Sequence, residues 1–271
     1  MSVTPQARPL ARIRSKQMID LLASGKRIDG RGLSSYRDLK TEVGIISKAE
    51  GSASVSLGNT KVMVGVKVEV GEPYPDTPNS GVLTVNSEFV PLAHEIFEPG
   101  PPDENSIELA RVVDRGIRES KSVDLEKLVL IPGKKVYVIF VDVYILNHDG
   151  NLTDASGFAA LAALKNSKVP NYNVTERGEV VRGDGFKPLP MRDYPIPVTI
   201  AKVNNSLLVD PNLEEETMSD VRLTITSTVD GRICAIQKSG TGGFTTREIL
   251  DMGMLAEEKS NEIRKKLLEA L

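Results

Sequence analysis

The stretch KKVYVIFVDVYILNHDGNLTDASGFAALAAL, residues 134–164, decides the fold. From 136 to 146 nearly every side chain is apolar at both odd and even positions, which predicts a central strand covered on both faces. His148-Asp149-Gly150-Asn151 is turn chemistry, Thr153 and Asp154 are candidate caps, and residues 155–164 are rich in the helix formers Ala and Leu. The order is therefore strand, tight polar loop, helix. A loop that feeds backbone N–H groups into a helix start offers an anion site, and its ability to bind phosphate bears directly on function.

Outward from that stretch the chain punctuates itself. Gly58-Asn59 predicts a two-residue hairpin between strands at 52–57 and 61–70, with Val62, Val64, Val66, Val68 and Val70 on one core-facing side. Pro132-Gly133 makes a second hairpin into the central strand. Asn204-Asn205 and Asp230-Gly231 repeat the plan in the second half, where Thr245 and Glu248 form a capping box ahead of a C-terminal helix. Residues 10–23 read as a leading helix, and 167–195, with four prolines and several glycines, as a linker with irregular structure. The fold class is α+β: two similar halves of antiparallel hairpins packed with helices.

With 271 residues the chain is long enough for two compact domains. No apolar run approaches the ~20 residues of a membrane span, and the N-terminus lacks a signal-peptide core, so a soluble intracellular protein without membrane contact is expected. A single cysteine excludes an internal disulfide, and two histidines leave little for a zinc or iron site. The net charge of −3 hides an asymmetry, because residues 1–48 carry ten Lys/Arg against four Asp/Glu. Nucleic-acid binding needs a basic face rather than a basic average, so the total is a poor guide; a solvated arm explains the same residues.

Few catalytic constellations are available. His148 at a strand end reads as a loop hydrogen-bonder and Cys234, between Ile233 and Ile236, as a buried inert thiol. Gly240-Thr241-Gly242-Gly243 lacks the lysine of a phosphate-binding loop and reads as a backbone corner. Asp210, Glu214, Glu215, Glu216 and Asp220 offer a divalent metal or a general acid, or simply a solvated loop. In the helix at 103–120, where Asn105 and Glu108 suit a capping box, Arg111, Arg115 and Arg118 share the side opposite Leu109, Val113 and Ile117. Asp114 to Arg118 and Arg115 to Glu119 have the spacing of ordinary surface pairs, so a salt-bridged face explains the arginines as well.

Taken together these segments resemble the RNase PH family of phosphorolytic exoribonucleases, and most of all the branch that supplies non-catalytic subunits to the archaeal exosome. The likeness runs through Arg27 to Arg31, Gly58-Asn59-Thr60, Leu83 to Pro91, the helix from Glu108 to Arg118, Asp149-Gly150, Val209-Asp210-Pro211 and Gly240. It implies an N-terminal helical arm at 1–27, a first RNase PH-type domain at 28–167 similar to a domain of ribosomal protein S5, a linker at 168–194, and a second such domain with the C-terminal helix at 195–271. Active members degrade RNA from its 3′ end with inorganic phosphate, held by a loop Asp-Gly-Gly-Thr-Arg-Thr-Ala. Here Asp149 to Ala155 has Leu152-Thr153 for the Thr-Arg pair and Asp154 for a hydroxyl. Losing a guanidinium and gaining a carboxylate both disfavour a bound anion. The family's acidic motif is matched only by Glu215-Glu216 and then Ser219-Asp220-Val221 at shorter spacing.

The resemblance therefore implies a subunit without catalytic residues, metal or cofactor. It would alternate with a catalytic RNase PH-type partner in a hetero-hexameric cytoplasmic ring, bind single-stranded RNA and meet RNA-binding cap proteins. It assigns RNA contact to Arg111, Arg115 and Arg118. Two other classes stay open on the sequence: an active phosphorolytic exonuclease with a divergent loop that uses Asp220, and a small-molecule phosphotransferase on an S5-like scaffold.

Overall fold

Turn chemistry sets most of the strand pairs. A computed structural model describes residues 9–175 and 178–271, with side chains from residue 16 onward; residues 1–8 of the basic arm lie outside the described residues. Helix α1 (Pro9–Ala23) leads, and its Met18 and Leu22 pack with Val203 and Leu208 of the second half. The first sheet holds β1 (Leu39–Val43), β2 (Gly51–Leu57), β3 (Thr60–Gly71), β4 (Val82–Phe89), β5 (Val129–Ile131) and β6 (Lys135–Asn147). Their order is β1-β2-β3-β6-β4, with β5 on the start of β6.

The Gly58-Asn59 hairpin forms as its sequence predicts, and Val62, Val64, Val66 and Val68 are buried. One pair departs from the antiparallel expectation: β4 runs parallel to β6. Parallel neighbours need a crossover, supplied here by the connection that carries α2 (Glu104–Glu119). Strand β6 also departs from expectation. Tyr137, Ile139, Val141, Val143 and Ile145 are buried, whereas Val138, Phe140 and Asp142 are half-buried and Tyr144 is exposed. Its apolar character on both parities does not mean that both faces are covered.

Strand β9 (Ile196–Val203), by contrast, is buried at both odd and even positions, seven of its eight residues in all. It belongs to the second sheet, with β10 (Ser206–Val209), β11 (Val221–Ser227) and β12 (Ile233–Gly240), in the antiparallel order β10-β9-β11-β12. Helix α3 (Leu152–Lys165) packs against β2 and β3 on one side and β9 on the other. Apart from a few positions in its first turns and Lys165 at its end it is buried all round, as an Ala/Leu helix lacking a polar face should be. Short α4 (Leu213–Met218) follows β10, and α5 (Thr246–Glu269) packs on β9 and β11 with the capping box expected at Thr245 and Glu248. One hydrophobic core runs from Val55 and Ile139 through Phe158 to Ile225 and Leu267, so the two α+β halves share it.

Residues 168–174 and 180–188 are not irregular. They form a two-stranded ribbon, β7 (Lys168–Val174) with β8 (Val180–Pro188). Pro170 and Pro188 are tolerated because a two-stranded ribbon is all edge, and Tyr137 ties it down by donating to the Pro170 carbonyl at 2.9 Å. Among the described residues no helix is long and apolar enough to cross a membrane.

Candidate nucleic-acid interface and an occupied anion site

The loop between β6 and α3 keeps the shape of an anion site. Gly150 sits at φ +83°, where an added Cβ would lie 2.4 Å from the Asn212 backbone, so only glycine fits. Neither Thr153 nor Asp154 caps the helix. The cap is Asn151, at φ 53°, whose side chain accepts from the Asp154 N–H. Asn151 tolerates this left-handed conformation because its short amide bonds locally.

The anion at this helix start comes from the chain itself. The Asn151 N–H donates to Glu216 Oε2 at 2.9 Å, and Glu216 is in turn ion-paired with Arg222. Asn151 Nδ2 donates to Asp210 Oδ1 at 2.8 Å and to Asp154 Oδ2 at 2.9 Å. Buried Asp210 also takes Arg37 through Nε at 2.9 Å and Nη2 at 2.7 Å, and Arg31 through Nη1 at 3.0 Å. Arg37 further donates to the carbonyls of Asp149, at 2.6 Å, and Gly150, at 3.2 Å. Beneath them Arg27 forks onto Glu215, and both are buried. Arg27, Arg31, Arg37 and Arg222 are thus all engaged by internal carboxylates, and a phosphate would have to displace a charge-assisted bond to recruit any of them.

Two titrating groups line the same loop. Burial pushes the Asp154 carboxyl up to about 6, although Asn151, Thr199 and Tyr36 all hydrogen-bond to it and oppose that shift. Burial, then the charges of His94, Arg222 and Arg37, push His148 down to about 4. His148 stacks on Phe97, and its Nδ1 accepts from the Gly150 N–H at 3.3 Å, the loop-bonding role that its position predicts. Cys234 is only partly buried and sits on the outer strand β12, with its thiol pushed up to about 11 by burial. Gly240, at φ +91°, is the backbone corner expected, closed against the Asp220 carbonyl. Exposed Asp220 stands at that corner. The acidic run does not form a metal cage: among the described residues no group of three His, Cys, Asp or Glu could hold an ion.

Helix α2 starts two residues before the box expected at Asn105. Asp103 is the cap, and its side chain accepts from the Ser106 N–H at 2.8 Å. Leu109, Ala110, Val113 and Ile117 are buried, and Arg111, Arg115 and Arg118 are exposed together. Their surroundings differ. Arg118 is paired with Asp114 at 2.8 Å. The Arg115–Glu119 pair does not form; instead Arg115 Nη1 donates to Gln237 Oε1 on β12 at 3.1 Å. Arg111 has neither a hydrogen bond nor an ion pair among the described residues. Glu108, one turn before Arg111, accepts from Ser239 Oγ at 2.9 Å and Gln237 Nε2 at 3.3 Å. Ser239 stands opposite Arg222 in the sheet register, so this interface adjoins the occupied anion site. Gln237 and Ser239 carry no local signal of this role, being more than a hundred residues from the helix that they serve.

Two models of one family match the chain: the 3′ exoribonuclease family, domain 1, over residues 35–170, and domain 2 over residues 193–259. The chain belongs to this RNase PH family. The exosome complex component Rrp42 of Thermococcus kodakarensis is 57% identical over 263 residues, covering 97% of this chain and 97% of that protein. The protein of the same name from Aeropyrum pernix is 50% identical over 275 residues, covering 100% and 99%. Among solved structures, a chain of the Archaeoglobus fulgidus exosome with RNA bound to the active site superposes with a TM-score of 0.87 at 49% identity, covering 96% of this chain and 99% of that one. A chain of an archaeal exosome core gives 0.84 at 45% identity, covering 95% and 97%. The family resemblance read from the scattered motifs is correct, and so is the α+β class.

Proposed function

We propose that this chain is a non-catalytic subunit of an archaeal-type exosome ring, assembling with a catalytic RNase PH-type partner and helping to hold RNA during 3′-to-5′ phosphorolysis. The observation that carries the reading is the Glu216 carboxylate on the Asn151 N–H. Where an active relative would hold inorganic phosphate, this chain holds its own carboxylate, and the nearby guanidinium groups face Asp210 and Glu215. Asp220 has no phosphate nucleophile beside it to assist.

RNA contact falls to α2. Backbone recognition needs cations spaced along a groove and does not need to read bases. Arg111 and Arg115 supply such cations one turn apart, whereas Arg118 is engaged by Asp114 and contributes less. The full-length likeness to exosome components, one of them in a structure with RNA bound, supports the same assignment. The reading extends to a cytoplasmic location, to an alternating hexamer and to RNA-binding cap proteins on that ring.

The decisive experiment compares three preparations: the purified chain, an RNase PH-type partner, and the two co-purified. Phosphate-dependent release of nucleoside diphosphates is expected from the co-purified ring and is expected to be absent from this chain alone. Robust phosphorolysis by the chain alone, with partner contamination excluded, overturns the reading.

A further inference from the structure

Arg111 and Arg115 at the surface of α2 remain available because another element restrains the carboxylate beside them. Glu108 precedes Arg111 by three residues, a spacing at which helical Glu and Arg side chains meet and pair. They do not pair here. Glu108 Oε1 is turned toward β12, where Ser239 Oγ donates at 2.9 Å and Gln237 Nε2 at 3.3 Å.

The Gln237 amide has only one satisfactory orientation. A carboxylate only accepts and a guanidinium only donates, so the NH₂ must face Glu108 and the carbonyl oxygen must face Arg115. The second amide hydrogen reaches the Lys238 carbonyl at 3.5 Å, consistent with that orientation. Arg115 is therefore steadied at 3.1 Å by a neutral oxygen. A carboxylate in the same place would cancel its charge, as Asp114 does for Arg118. Through Gln237 the guanidinium loses conformational freedom and keeps its charge and its remaining donors, and one immobilised end costs less entropy when a phosphate arrives.

We propose that Gln237, with Ser239, is a positioning residue for RNA: it withholds Glu108 from Arg111 and aims Arg115 without neutralising it. This rests on the reading of Arg111 and Arg115 as phosphate-binding cations, so the experiment separates the two. In the assembled ring, without inorganic phosphate, the affinity for a short single-stranded oligoadenylate is measured across a potassium chloride series. Replacing both arginines, Arg111→Gln with Arg115→Gln, is expected to lower the slope of log affinity against log salt by about 0.7 for each RNA phosphate that is no longer neutralised.

Gln237→Leu alone is expected to weaken binding about tenfold and to move the slope toward that of the double variant, with the thermal midpoint unchanged. Adding Glu108→Gln to Gln237→Leu is expected to restore the slope, because the freed side chain then carries no charge. If the double-arginine ring binds as the unaltered ring does, the RNA-binding reading of α2 falls and this inference falls with it. If the double-arginine ring is weakened, the inference alone is overturned by any of three results. Gln237→Leu binds normally, it weakens the double-arginine ring by the same further factor, or Glu108→Gln fails to restore the slope.

Discussion

At the scale of single residues, the loop ahead of α3 sets two titrations against each other. The folded His148 holds its pKa at about 4, against ~6.5 for an unfolded imidazole. As pH falls through that window the unfolded chain takes up a proton that the folded chain refuses, so stability drops. Asp154 works in the opposite sense. Its folded carboxyl titrates at about 6 against ~3.9 unfolded, so its contribution is complete below the unfolded value and is lost as pH rises through about 6. Between pH ~6 and ~4.5 the two slopes largely cancel. Replacing His148 by Gln, which retains a side-chain acceptor, removes one of them. The unfolding free energy of the isolated chain, from urea titrations, is then expected to rise as pH falls from 6 to 5, by about 1 kcal/mol, where the unaltered chain stays nearly flat. A His148→Gln profile parallel to that of the unaltered chain would show that folding does not depress the His148 titration, and a variant profile that stays flat would show that Asp154 does not titrate in this window.

At the scale of elements, what could be read from the sequence was what is local. The turns at Gly58-Asn59 and Asn204-Asn205 sit where their residues place them, because a two-residue turn is decided by its own backbone preferences, whereas Asp230-Gly231 lies inside a longer loop between Ser227 and Ile233. The parallel pairing of β4 with β6 left no such mark, since its partners meet only through the connection that carries α2. Coverage is not legible in the letters for a related reason. Val138, Phe140 and Tyr144 are apolar on a face that the fold leaves partly open, while β9 hides its double coverage behind Pro197, Thr199 and Lys202. The anion loop shows both limits together. The changes at Leu152, Thr153 and Asp154 are visible in the letters, but the arrival of Glu216 from the second half is not.

The start of α2 offers a direct check at this scale, because two residues of suitable chemistry compete for the cap. Asp103 accepts from the Ser106 N–H, whereas the amide of Asn105 donates to Asp103 at 3.2 Å on the exposed side. Asp103→Ala is expected to cost about 1 kcal/mol, and Asn105→Ala to stay within about 0.5 kcal/mol of the unaltered chain. Chemical denaturation measures both. A larger loss from Asn105→Ala than from Asp103→Ala would move the helix start back to the box that the sequence suggests.

At the scale of the whole molecule, two similar α+β halves joined through a proline-containing segment invite the expectation of two independent folding units. The core argues against it. Helix α3 belongs by sequence to the first half, yet it buries one side on β2 and β3 and the other on β9. Phe158 lies in that layer fully buried, 6.2 Å between ring centroids from Tyr36. Polar links reinforce the join, because Asp154 accepts from Thr199 of β9 at 2.7 Å and Asp210 holds Arg31 and Arg37 across the halves. Separating the halves would expose the far side of α3 and strand buried charges whose loss of a partner costs about 3–5 kcal/mol each. The chain is therefore expected to unfold in one transition, with calorimetric and van't Hoff enthalpies that agree. Phe158→Ala is expected to cost about 3–5 kcal/mol and to move that single transition down as a whole. If instead the variant shifts one of two resolved transitions and leaves the other in place, α3 is a packing element of the first half only, and the second half folds without it.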